Sequence, residues 1–261
     1  MFETIELSIS GAVATITLNR PDRLNAFSKT MHREFQQALE TVASHDALRV
    51  VTITGAGRAF CAGQDLGERQ PDKDSKPDLG ETLESGYNKS LRLLHAIKIP
   101  VVAAVNGVAA GAGAGIALNC DLVLAKKSAR FIQAFSNIGL IPDSGMTWYL
   151  PRLIGSARAR AIAMLGTPVD AETAEEWGMI YRSVADDDFD MELSALVDNL
   201  ANRPTIALGL IKKAMHESWS NTLDQQLDLE RDYQRIAGLT RDFAEGVTAF
   251  SEKRSPRFEG R

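Results

Sequence analysis

The chain has 261 residues, of which 44% are apolar and 24% charged. These are the proportions of a soluble globular protein with one large core, or such a core with a helical appendage. A formal net charge of −5 and a pI near 5.5 argue against a nucleic-acid binder that works through a basic surface.

The N-terminus runs directly into a strand-like pattern, with no sign of a signal or transit segment. Ile5-Glu6-Leu7-Ser8 and Val13-Ala14-Thr15-Ile16-Thr17-Leu18 read as two strands joined at Ser10-Gly11. Ser28 is a good helix cap, and Met31, Phe35, Ala38, Leu39 and Val42 behind it form an apolar stripe of helical period. Val50-Val51-Thr52-Ile53 is a β-branched strand ending at Gly55-Ala56-Gly57. Residues 68–80, rich in Asp, Lys, Pro and Gly, read as a mobile loop. A helix over Leu83–Ile97 turns Tyr87, Leu91 and Leu94 inward, and Pro100 sets off the strand Val101–Val105.

Between Ile99 and Cys120 there is no charged residue, and Gly107, Gly111 and Gly115 stand at GxxxG spacing. Pro100 and Asn106 interrupt this stretch, and Gly and Ala dominate it, so it reads as a buried strand, turn and helix and not as a membrane span. Leu122–Ala125 and Ala129–Phe131 are short and strand-like. From Ser144 onward the pattern is nearly all helical: Asp170 caps one helix that Gly178 ends. Thr205–Ser218, Thr222–Ala237 and Asp242–Lys253 follow. The expected division is therefore a core over 1–200 and a helical oligomerisation region over 201–261.

Cys61 and Cys120 are far apart and lack a CxxC partner, which points to a reducing, cytoplasmic setting without disulfides. His32, His45, His95 and His216 are scattered and have no zinc-ligand spacing. Chemistry is more readily read in three segments. Gly55 through Leu66 follows a strand, and Asn106 through Gly115 follows another strand and opens a helix. Small residues there allow close ligand approach to backbone N–H groups, although tight turns and helix packing alone also demand them. A dinucleotide fingerprint starting at Gly111 fails because its third glycine falls on Ile116, and no Gly-Lys-Ser/Thr exists for a P-loop. In the third segment, Phe135 through Gly145, Asp143 is either a helix N-cap or a base whose pKa is raised by Phe135, Ile141 and Trp148.

Asn19-Arg20-Pro21, Phe60-Cys61-Ala62-Gly63-Gln64-Asp65-Leu66 and Ala104-Val105-Asn106-Gly107 through Asp121 together resemble the crotonase (enoyl-CoA hydratase/isomerase) family. The resemblance spans essentially the whole chain. It implies an α/β fold, a crotonase-like spiral of ββα units with a C-terminal helical trimerisation region. It also implies an acyl-CoA thioester substrate, a homotrimer or dimer of trimers, and no metal or redox cofactor. By the same resemblance the backbone N–H groups of Gln64 and Ala112 form an oxyanion hole. CoA then lies along Arg23, Leu24, Ala62, Gln64, Asp65, Leu66 and Ala112, with Phe250 and Lys253 closing the site, from a neighbouring chain as in relatives.

The family's hydratases carry two glutamates, whose positions fall here on Gly115 and Phe135. The acid stands instead at Asp143, which the resemblance makes the acid/base of an isomerase. Hydration through another water-activating residue is the nearest rival. Covalent hydrolysis or dehalogenation by Asp143, with His95 activating water, is a second. A non-catalytic protein that keeps the CoA fold as a binding module is the rival from a different class.

Overall fold

The computed structural model describes residues 2–69 and 78–261. β1 (Ile5–Ser10) and β2 (Val13–Leu18) form an antiparallel hairpin around Gly11, whose φ of 58° suits glycine. α1 (Lys29–Ala43) starts where Ser28 Oγ accepts the Met31 N–H at 3.1 Å, and its predicted apolar stripe is buried. β3 (Val50–Gly55) and β4 (Ala59–Cys61) follow. α2 (Leu79–Leu83) and α3 (Lys89–Ala96) flank a wide π-helical turn at Glu84–Asn88 that brings Tyr87 into the core. Most of the loop expected over 68–80 lies outside the described residues. Its last residues belong to α2, whose cap, Asp78, accepts from the N–H groups of Gly80 and Glu81.

β5 (Val101–Val105), β6 (Val108–Ala110), α4 (Ala112–Leu118), β7 (Leu122–Lys126) and β8 (Arg130–Ile132) come next. α5 (Met146–Leu165) bends at Gly155, which has a φ of 76°. The remaining elements are β9 (Val169–Asp170), α6 (Ala171–Glu176), β10 (Arg182–Val184), α7 (Phe189–Ala201), α8 (Thr205–Glu217), α9 (Leu223–Ala237) and α10 (Arg241–Glu252).

The strands build a six-stranded sheet, β1-β2-β3-β5-β7-β10, and a four-stranded sheet, β4-β6-β8-β9. Three consecutive pairs, β3–β4, β5–β6 and β7–β8, each give their first strand to the large sheet and their second to the small one. That repetition is the expected spiral. Alternation along the large-sheet strands sorts their side chains onto two faces. Val51, Ile53, Val101, Ala103, Val105, Val123 and Ala125 join the main core with α1, α3 and α4. Val50, Val102, Ala104 and Leu124 face α7 through Phe189 and Val197.

The uncharged stretch resolves into β5, β6 and α4, and no described helix is long and apolar enough to cross a membrane. The expectation of near-continuous helix after Ser144 is corrected at β9 and β10, each of which closes one sheet. Strands of two or three residues are too short to show an alternating pattern. α8 is tied to the core by the Lys212–Asp121 ion pair at 2.9 Å. It also lies so close that a β-carbon on Gly209 would stand 2.2 Å from the Lys98 carbonyl oxygen. α9 buries none of its side chains.

Candidate active site

The site forms where the second strand of one unit meets the first helical turn of the next. After β4 the chain pairs with the segment before α1: Ala62 N–H donates to Leu24 O at 2.9 Å, Phe27 N–H to Gly63 O at 2.7 Å and Asp65 N–H to Phe27 O at 3.0 Å. Gly63 adopts φ 90°, and this turns the Gln64 amide out of the ladder. The Gln64 side chain is pinned, with Nε2 donating to Phe27 O at 2.8 Å and Oε1 facing His32 Nε2 at 3.2 Å. His32 is itself buried between the rings of Phe27 and Tyr87.

α4 enters against this segment. A β-carbon on Gly63 would stand 2.8 Å from Ala110 O and 3.4 Å from the Ala112 nitrogen, and one on Gly113 only 2.3 Å from Cys61 O. Glycine at these positions is what lets β4 and α4 touch through their backbones. Among the described residues no acceptor takes the N–H of Gln64 or of Ala112. The two amides therefore stand on segments in contact, each available to an incoming oxygen.

Arg23 ends the turn at Pro21–Arg23, and Leu24 follows it. The Leu24 bond to Ala62 brings Arg23, Leu24, Ala62, Gln64, Asp65 and Leu66 together, with Arg23 exposed. Arg20, which the sequence reading passed over except as part of a motif, pairs with Asp65 at 2.9 Å. Burial pushes the Asp65 pKa up, but the Arg20 guanidinium and the Gly67 N–H outweigh it and hold it below the usual carboxylate value. Phe250 and Lys253, at the end of α10, are exposed. Among the described residues no hydrogen bond, ion pair or ring contact joins either to residues 62–66 or to Ala112 of the same chain.

Asp143 is half-buried and lies on the loop between β8 and α5. It does not cap α5, which begins after Gly145 with no side-chain cap; its carboxylate Oδ1 accepts the Ser144 hydroxyl at 2.8 Å. Of the three apolar residues expected around it, one stands in solvent. Ile141 is 79% exposed, because Gly139 and Gly145, both at positive φ, turn the loop outward. Trp148 packs with Tyr149, His216, Trp219 and Arg152. Phe135 is buried and its Cζ lies 3.7 Å from where a Gly111 β-carbon would be.

Ser144 is 2% exposed and has a φ of 52°, unusual for a serine. A β-carbon on Gly115 would stand 2.4 Å from Ser144 Cβ, so Ser144 closes the space beside α4 at that point. Gly115 lies three residues after Ala112, about one helical turn along the same face. Ser144 is thereby held beside α4 about one turn along from Ala112, and positions 115 and 135 supply no carboxylate.

His95 is not a free water-activating base. Asn119 Nδ2 donates to Gly115 O at 2.7 Å and Ser144 O at 3.0 Å, so its Oδ1, 2.9 Å from His95 Nε2, accepts the ring N–H. Tyr149 Oη lies 3.2 Å from the same nitrogen. Burial lowers the His95 pKa against the opposing bond from Asn119, with nearby His216 and Lys212 acting in the same direction as burial. A neutral His95 therefore steadies Asn119. Neither Asn119 nor Ser144 was singled out by sequence; a turn-forming Pro142-Asp143-Ser144-Gly145 was the one available signal.

The enoyl-CoA hydratase/isomerase family model matches residues 8–261, and the chain belongs to that family. It is 51% identical over 262 residues to the 1,2-epoxyphenylacetyl-CoA isomerase of Escherichia coli, covering 100% of both chains. It is 44% identical to a Rhodobacter capsulatus protein described as a probable enoyl-CoA hydratase, covering 100% of this chain and 99% of that one. A crystal structure of a candidate enoyl-CoA hydratase/isomerase from Mycobacterium abscessus superposes with a TM-score of 0.94 at 38% identity, covering 98% of this chain and 100% of that one.

Proposed function

We propose that this chain is an acyl-CoA isomerase that converts ring-1,2-epoxyphenylacetyl-CoA to the oxepin-CoA and also shifts the double bond of 3-enoyl-CoA esters. The observation that carries this reading is the Asp143–Ser144 turn against α4, where Ser144 closes the space beside Gly115, about one turn along the helix from Ala112, while positions 115 and 135 carry no carboxylate. Hydration needs water held between groups that activate it, and neither Gly115 nor Phe135 offers one. Moving a proton within one substrate needs a single base that can reach two carbons. The 51% identity to an epoxyphenylacetyl-CoA isomerase supports the choice of acyl group.

In this mechanism the thioester oxygen accepts the N–H groups of Gln64 and Ala112. Asp143 removes a proton from the carbon next to the thioester, and the electron pair moves into the enolate. Each amide aimed at the developing charge contributes about 10²–10³-fold. Protonated Asp143 then returns the proton further along the conjugated system; with the epoxide, this shift accompanies ring expansion. The reaction draws on no metal or redox cofactor. Arg23 meets CoA phosphate, which gives an acidic chain the local positive charge that its ligand needs. Incubating the protein with the synthetic epoxide CoA ester and identifying the product by mass spectrometry and NMR tests the reading. Oxepin-CoA is the expected product, and an unchanged or hydrated ester would refute it.

The exposed apolar side chains on the last helices are read as subunit contacts. Leu223, Leu227, Phe243, Val247 and Phe250 are all more than half exposed, apolar side chains carried by the last two helices. A homotrimer or dimer of trimers buries them, and Phe250 and Lys253 then close a neighbour's CoA site. Light scattering at micromolar concentration is expected to give three or six times the 28.4 kDa chain mass; a monomer would contradict this.

A further inference from the structure

Consecutive carbonyls of a regular strand point opposite ways, but those of Ala59 and Phe60 in β4 converge. Asn25 Nδ2 donates to Ala59 O at 2.8 Å and to Phe60 O at 3.2 Å, and a β-carbon on Gly55 would stand 2.3 Å from both oxygens. The cause is a β-bulge. Ala59 stands opposite Val108 and Cys61 opposite Ala109, so Phe60 is an extra residue in β4 against β6. Asn25 is fully buried, and its amide reaches further: Nδ2 also donates to Ala56 O at 2.9 Å, and Oδ1 accepts the Arg20 N–H at 2.9 Å. Leu24 and Asn25 both hold left-handed φ values, 50° and 58°, a conformation that asparagine adopts more readily than most residues. The Asn25 carbonyl accepts from Cys61 Sγ at 3.2 Å, and that sulfur accepts the Gly63 N–H at 3.4 Å.

We propose that Asn25 is a positioning residue for the oxyanion hole: it holds the bulge in β4 that sets the Gln64 amide for the thioester oxygen. The inference rests on the Gln64 and Ala112 amides receiving that oxygen. A buried carbonyl needs a donor, and the Asn25 amide supplies N–H groups to both carbonyls that the bulge turns to one side. Along an extended chain successive N–H groups face opposite ways, so one extra residue decides which amides beyond it meet a partner. With the bulge in place Ala62 N–H meets Leu24 O and Gly63 N–H meets Cys61 Sγ. Gly63, at φ 90°, then turns the Gln64 amide outward. Flattening the bulge would slide the chain beyond it by one residue against β6. Gly63, which lies against Ala110 and Ala112, would be carried out of place.

Asn25→Ala removes the amide; Asn25→Gly removes it and relieves the left-handed backbone, and decides the matter if Asn25→Ala fails to fold. Each protein is saturated with butyryl-CoA carrying carbon-13 at the thioester carbonyl, a saturated ester with no double bond to shift. The infrared carbonyl band is read well below the melting temperature. In the wild type the band is expected to move down on binding, as two N–H groups polarise the carbonyl. Both variants are expected to lose about half of that shift or more, because one of the two donors is displaced. Their kcat with a 3-enoyl-CoA is expected to fall about 10²-fold. Reading the bound ester at saturation keeps any weakening of CoA affinity out of the result. The full wild-type shift in the variants, whatever their melting temperatures, would overturn the role of Asn25 and make it merely structural. No shift in the wild type would instead overturn the oxyanion reading of Gln64 and Ala112. A wild-type shift that the variants lose, without isomerisation of any ester, would refute the proposed reaction and leave the role of Asn25 standing.

Discussion

Asp143→Asn is expected to lower isomerase turnover by on the order of 10²–10⁴-fold, the usual loss when a general acid/base is removed. The asparagine keeps the size of the side chain, and its carbonyl oxygen still accepts the Ser144 hydroxyl that now bonds Oδ1 at 2.8 Å. The loop between β8 and α5 should therefore hold its shape, since its anchor is backbone: Asn119 grips the Ser144 carbonyl, and the Met146 N–H donates to the Asp143 carbonyl at 3.0 Å. Affinity for a non-reactive acyl-CoA should change little, because none of the residues assigned to CoA is altered. Titration calorimetry beside steady-state kinetics separates the two effects. Tight binding with lost turnover fits the account; near-normal turnover contradicts it.

Gly113→Ala should be nearly as damaging, for a different reason. The added β-carbon would stand 2.3 Å from the Cys61 carbonyl oxygen and 2.8 Å from Cys61 Cβ and Sγ. Neither side can yield cheaply, because one is the backbone of a fully buried strand and the other a helix packed against it. Overpacking of this kind typically costs about 1–3 kcal/mol of stability. Relief comes only by moving α4 away from β4, and that movement carries the Ala112 amide away from the Gln64 amide. A displacement of about 1 Å in such a constellation can cost about 10²-fold in rate. Expected, then, are a lower unfolding midpoint and a kcat reduced about a hundredfold in the protein that remains folded. A variant with normal melting and normal turnover would show that the closeness of β4 and α4 is not needed.

The parts of this architecture that were legible in sequence are those whose signal is local. The apolar stripe from Met31 to Val42 and the cap at Ser28 place α1, and the β-branched run at Val50 and the segment Val101–Val105 place two central strands. β4, β6, β9 and β10 span two or three residues each, too few for a period to emerge; β8, equally short, was legible near Ala129–Phe131. The site divides in the same way. The family motif brought Gln64 and Ala112 into view, and the geometry sets their segments in contact. Around Asp143, proximity in sequence is no guide to burial at Ile141, which is exposed, while Trp148 is part of an aromatic cluster with His216 and Trp219. Ser144, Asn119 and His95 are linked across separations of 24 or more residues, and no local pattern announces such a chain.

The central claim is that one carboxylate moves a proton within the substrate and does not activate water. Its most direct test is a comparison on one preparation, setting the hydration of crotonyl-CoA against the isomerisation of a 3-enoyl-CoA and of the ring-epoxide CoA ester. Products are followed by mass spectrometry and deuterium NMR in deuterated water. The account predicts that at least one isomerisation far outpaces hydration, with part of the migrating proton retained from the substrate. Hydration of crotonyl-CoA at least as fast as both isomerisations would contradict it, and Asp143 would then be a water-activating group.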